Sequence, residues 1–195
     1  MIAIIYSGFL RTWEQVRQNH LDNLWRQGCF LHFHTDKKPV DNRKGKTLVP
    51  MCYHPLAEQL TSFPAALRTN QRPETSIGNT LNQWRNRKNA FKHAGIGCHV
   101  YVIARTDIEF SGPINLNIIP GKVYIPSGCD YGGVNDQFAF GDYDSMQVYC
   151  SLYDHYSKYF NEGLTFHPES YLHHHLVANG IEIIRIPQTN NIVRL

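Results

Sequence analysis

Between residues 98 and 110, in CHVYVIARTDIEF, an apolar run stops abruptly against charge, and no other stretch limits the possible folds as strongly. Residues 99–104 are rich in β-branched and aromatic side chains, the composition of a buried strand. The run ends directly on Arg105-Thr106-Asp107-Ile108-Glu109. In open α/β sheets, ligands collect at the carboxyl ends of the strands. The junction therefore puts a guanidinium suited to an anion, and carboxylates suited to a divalent cation, where a ligand would sit. Charges merely solvated at a strand end are the simpler account. What displaces it is the rest of the chain.

Strand-like and helix-like patterns alternate on either side of that run. MIAIIYSG predicts a first strand at 2–7, followed by a glycine-containing turn and a helical pattern through Trp25 with Val16, His20 and Leu24 on one face. A second strand is expected at 29–34, then a polar, basic loop at 37–46. The region 50–74, with Pro50, Pro55, Pro64 and Pro73, predicts an irregular connection packed on the sheet. Residues 76–93 predict a helix with Ile77, Leu81, Trp84, Lys88 and Phe91 roughly on one side, and Gln83, Arg85, Arg87 and Lys92 among the others. Gly95 and Gly97 stop it before the central strand. Further strands are expected at 122–126 and 181–186. A helix at 145–160 carries Met146, Tyr149, Leu152, Tyr153 and Tyr156 as core positions, and another opens at Pro168 and Glu169 and closes at Gly180. The alternation predicts an α/β domain with a mixed, mostly parallel sheet covered by helices on both faces. A chain of 195 residues, 42% hydrophobic, has material for one substantial core, so a single domain over 1–195 is expected.

Charge and cysteine usage narrow the class. With 19 basic and 16 acidic residues there is no polyelectrolyte excess for holding nucleic acid, while a small acidic ligand is left open. Five cysteines, an odd number without CxxC, argue against a disulfide framework and a structural zinc site, so reduced thiols in a cytoplasmic setting are expected. The opening apolar run lacks a basic flank and is too short for a signal peptide or a transmembrane segment.

Several residues carry candidate chemistry. Gly8 allows close backbone approach and Arg11 can pair with phosphate or a base edge, although GxGxxG is absent. Gly45-Lys46-Thr47 imitates the end of a phosphate loop, but Val40 stands where the first glycine is required. Residues 128–142 mix glycines, aromatics and acids at the density of a binding loop. Glu169 and His173 share a helical face, whereas His174 and His175 point about 100° apart, so the three histidines cannot all bind one ion.

In chain order, YSGFLRTW, a Gln83-containing helix feeding VIARTDIEF, then GGVNDQFAFGDYDSM, and FHPESYLHHHL before a last strand resemble small nucleotide-sugar glycosyltransferases of the GT-A fold. Short bacterial and algal-virus members are the most similar. The resemblance covers most of the chain, with 37–74 unmatched. It implies a GT-A-like (Rossmann-like) domain and a hexosyltransferase using a nucleoside-diphosphate sugar, a UDP-sugar first, with Mn²⁺ or Mg²⁺ and a glycan or other hydroxyl acceptor. In that fold an aspartate-x-aspartate at the end of a central strand holds the metal and the donor diphosphate. Here Arg105 takes the first position if Asp107 is the second, and Glu109 is the second if Asp107 is the first. The resemblance assigns the nucleotide sugar to Ser7, Gly8, Arg11, Thr12, Gln83, Arg105, Asp107 and Gly133, and the metal to Asp107, Glu109 and His175. Asp136 and Glu169 are the catalytic candidates, each with an alternative as a helix-end residue. A noncatalytic carbohydrate-binding module, resting on 130–142, and a metal-dependent phosphoesterase, resting on Asp107, Glu109 and the histidines of 167–175, remain as other classes.

Overall fold

The computed structural model describes residues 1–26, 28–39, 51–56, 77–187 and 190–194. The 45–47 look-alike and most of the 50–74 connection lie outside them. β1 (Ile2–Gly8), α1 (Trp13–Asn23), β2 (Cys29–Thr35), β3 (Met51–Pro55), α2 (Ile77–Ala94) and β4 (Val100–Ala104) come first. β5 (Ile108–Phe110), β6 (Lys122–Pro126), β7 (Phe138–Gly141), α3 (Tyr143–Cys150), α4 (Leu152–Asn161), α5 (Pro168–Ala178), β8 (Glu182–Ile186) and β9 (Asn190–Ile192) follow. Among the described residues the main sheet has seven strands in the order β3-β2-β1-β4-β7-β6-β8. All run parallel except β7, which is antiparallel to both β4 and β6. β5 and β9 pair antiparallel in a separate ribbon.

The period-two alternation of the strands divides the core into two layers. Ala3, Ile5, Tyr101 and Ile103 face Leu81, Trp84 and Phe91 of α2 and Tyr149, Tyr171 and Leu176 of the later helices. Ile4, Tyr6, Val102 and Ala104 face the other way, onto Trp13, Val16 and Leu24, with Ile108 and Phe110 of β5 closing that side. The mixed, mostly parallel α/β sheet expected from the sequence is therefore present, and each of the five expected strands lies within one residue of its expected ends.

Four expectations need correction. Residues 51–55, expected in an irregular connection, form the edge strand β3, paired parallel with β2. Residues 138–141, expected inside a binding loop, form β7 at the centre of the sheet. Phe138, Ala139 and Phe140 are wholly buried there. The 145–160 helix is two helices, broken at Ser151. The Val148 carbonyl there accepts from the Ser151 amide, the Ser151 hydroxyl (2.9 Å) and His175 Nε2 (2.9 Å). Arg87, expected off the packed face of α2, is buried. Among the described residues, no helix is long and apolar enough to cross a membrane. The five cysteines are all free thiols.

Candidate functional site

From β1 the chain builds outward through β2 and β3, then returns to place β4 on the other side of β1. The carboxyl ends of β1 and β4 thus flank a topological switch point, where loops diverge and leave a crevice. A cavity of about 970 Å³ opens there, enough for a nucleotide-sized ligand. Its walls are the turn after β1, the ends of β2 and β3, one face of α2, the 105–107 turn and residues 192–194. Ser7, Gly8, Arg11, Thr12, Gln83, Arg105 and Asp107 all line it.

The turn after β1 is held from both sides. Gly8 has φ +135°, a conformation L side chains rarely adopt. Leu10 N donates to Asp36 Oδ1 (2.8 Å) at the end of β2, and Thr106 Oγ1 donates to the Phe9 carbonyl (2.7 Å) from the end of β4. The Arg11 guanidinium lies over the Phe9 ring, 4.8 Å from its centroid. Thr12 caps α1 by position, but its side chain makes no capping bond. Its hydroxyl is buried without a hydrogen-bond partner. The positive end of the α1 dipole opens onto the same space.

Across the cavity, Arg105 grips Asp107 with two hydrogen bonds, Nε to Oδ1 (2.8 Å) and Nη2 to Oδ2 (2.6 Å). Burial works against the Arg105 charge. The Asp107 bonds and the nearby carboxylates of Asp107, Asp136 and Glu169 outweigh it and raise the guanidinium pKa further. The two catalytic candidates thus act on the same guanidinium. Asp136 Oδ2 accepts from Gln83 Nε2 (3.0 Å) and lies 3.5 Å from Arg87 Nη2, which also donates to the Asp136 carbonyl (2.6 Å). Gln83 links the cavity wall to this buried pair. Glu169 Oε2 lies 3.3 Å from His167 Nδ1 at the start of α5.

Gly133 serves a different end from the one expected. A Cβ there would lie 2.0 Å from the Glu169 carbonyl oxygen, and Val134 N donates to that same oxygen (3.2 Å). The glycine lets the 130–136 loop dock on α5, which brings Asp136 and Glu169 into one neighbourhood. Gly133, Asp136 and Glu169 do not themselves line the cavity.

The residues expected to hold a metal do not come together. Both Asp107 oxygens are taken by Arg105. Glu109 lies within β5, opposite Asn191, outside the cavity wall. His175 is wholly buried among the helices: Nε2 donates to the Val148 carbonyl, Nδ1 accepts from the Tyr159 hydroxyl (2.7 Å), and burial lowers its pKa to about 4. Among the described residues no group of three or more His, Cys, Asp or Glu is placed to hold a metal ion. A cation shared by these three residues does not fit, and the phosphoesterase arrangement of Asp107, Glu109 and histidines is not assembled either.

Sequence reasoning passed over Asp36, Arg194 and the face of α2 formed by Asn79, Asn82 and Asn86, all in the cavity wall. The asparagines had a readable signal. With Gln83 they form a polar stripe at helical spacing on an otherwise packed helix. Asp36 had the strand-end signal, directly after β2, whereas Arg194 carried none, since it reaches the cavity through the pairing of β9 with β5. No family model matches this chain, and no curated protein matches it.

Proposed function

We propose that this protein is a glycosyltransferase that moves a sugar from a nucleoside-diphosphate sugar to an acceptor hydroxyl, with a GT-A-like domain as its scaffold. The observation that carries the reading is the switch-point cavity, where an arginine-bearing turn, the amino end of α1 and the Arg105-Asp107 pair meet. Polar walls of that kind suit a nucleotide and its diphosphate. A carbohydrate-binding module would need neither.

In the reaction the acceptor oxygen forms a bond to the anomeric carbon as the bond from that carbon to the diphosphate oxygen breaks. The electron pair leaves with the nucleoside diphosphate. Arginines against the departing group stabilise its growing negative charge. Glu169 takes the acceptor's proton in an inverting transfer. Asp136, paired with Arg87 behind the cavity wall, fixes Gln83, whose amide hydrogen-bonds the donor sugar's hydroxyls. For Mn²⁺ or Mg²⁺, the ions the resemblance implies, no group of three or more ligands is placed among the described residues, and no step depends on them.

A panel of nucleotide sugars, UDP-sugars first, tests the reading through release of nucleoside diphosphate with and without added hydroxyl acceptors. One donor is expected to turn over, with Glu169→Gln slowing transfer ~10²–10⁴-fold while nucleoside diphosphate still binds. A chain that binds free sugars but responds to no nucleotide is a sugar-binding module, and the proposal then fails.

A further inference from the structure

We infer that the donor diphosphate is held without a divalent cation, in a seat made of the Arg105 guanidinium, Arg11, Arg194 and the Thr12 hydroxyl at the amino end of α1. The inference rests on the nucleotide-sugar reading, because it takes the ligand to be a nucleoside diphosphate.

The charges in the cavity favour an anion directly. Of its two acidic wall residues, Asp36 accepts the Leu10 amide and Asp107 is gripped by Arg105. Arg11 and Arg194 line the same wall and make no ion pair among the described residues. Ionised phosphate oxygens would supply the acceptors these guanidinium groups lack. Thr12 adds an independent sign of a ligand. It is only 3% exposed, its hydroxyl has no partner, and it lies in the cavity wall at a helix amino end. Burying a hydroxyl unpaired is costly, and a phosphate oxygen would remove that cost.

The Arg105-Asp107 pair argues against a cation at this place. A divalent ion on Asp107 would either displace two hydrogen bonds of 2.8 and 2.6 Å or share the carboxylate with the adjacent guanidinium, a like charge. With the pair intact, Nε and Nη2 are spent on Asp107 and Nη1 has no partner among the described residues. Asp107 is then a positioning residue. It fixes the plane of a guanidinium whose remaining donors meet the diphosphate.

Titration calorimetry with UDP, GDP and ADP, in EDTA and then in Mn²⁺, tests this. The expected result is one nucleoside diphosphate that binds with the same affinity in both buffers. Arg105→Ala should weaken binding in EDTA by about tenfold or more, the effect of losing a charge-assisted hydrogen bond. Arg105→Lys should not restore it, because an ammonium cannot reproduce the fork. Thr12→Val should weaken binding while the melting temperature of the free protein holds or rises, an outcome a structural hydroxyl would not give. Binding that appears only with Mn²⁺ overturns the inference and leaves the nucleotide-sugar reading standing. Binding in neither buffer, with the protein folded by its melt, overturns both. Unchanged affinity of Arg105→Ala in EDTA also overturns the inference, and Arg194→Ala provides the same test away from the core.

Discussion

Gly133 and Arg87 show what single residues contribute to the site without touching a ligand. A methyl group at Gly133 would collide with the Glu169 backbone, so the loop or α5 must move. Gly133→Ala is expected to cost ~1–3 kcal/mol, as overpacking does, and to lower the melting temperature by several degrees. An unchanged melt would show that the loop is not docked on α5. Arg87 neutralises the Asp136 carboxylate in a buried setting, with its guanidinium also 5.1 Å from the Tyr149 ring centroid. Arg87→Leu strands that carboxylate, at a cost of about 3–5 kcal/mol in urea unfolding. Adding Asp136→Asn should recover part of the loss. Two single mutants whose effects simply add would contradict the pairing. Residues at strand ends, such as Gly8, Arg11, Arg105 and Asp107, were legible because an apolar run announces its own end. The docking role of Gly133 was not legible, because its partner lies on a later helix, beyond the reach of any local pattern.

At the scale of elements, a chain of buried hydrogen bonds ties β1, α1 and β5 together behind Asp107. Trp25 Nε1 donates to the Tyr6 hydroxyl (2.7 Å), that hydroxyl donates to His20 Nδ1 (3.0 Å), and His20 Nε2 donates to the Ile108 carbonyl (2.7 Å). Asn19 of α1 adds two more bonds, from Nδ2 to the Phe110 carbonyl and from the Phe110 amide to Oδ1. The 105–107 turn is thus braced by the helix that follows β1. Tyr6→Phe removes the middle link and takes from the buried His20 Nδ1 the hydroxyl that donates to it. It should destabilise by about 1–3 kcal/mol in equilibrium unfolding. No loss would mean the chain is not formed. α1, α2 and the five expected strands were visible in periodicity because each buries a single stripe or a continuous run. β7 was hidden by its glycine-rich approach, and the break at Ser151 by a donor, His175, that arrives from another helix.

For the whole molecule, acid is the sensitive condition. Burial lowers the pKa of His20, His34 and His175 to about 4 each, and lowers that of His32 as well. These rings are neutral in the folded chain, while in the unfolded chain they titrate near 6.5. Their contribution is fully present above pH 6.5 and is lost as pH falls from there toward 4, because the unfolded state binds protons first. Each engaged histidine gives a slope of up to ~1.4 kcal/mol per pH unit in that window. Melting temperature should therefore be level above neutrality and fall steeply between pH 6.5 and 4, and a flat profile there would contradict the buried, neutral rings. A crystal structure grown with a nucleoside diphosphate would show directly what the switch-point cavity holds. The diphosphate should lie between the 8–12 turn and Arg105, with its oxygens on the Thr12 hydroxyl and the guanidinium groups. A ligand seated elsewhere on the molecule, with that cavity empty, would contradict it.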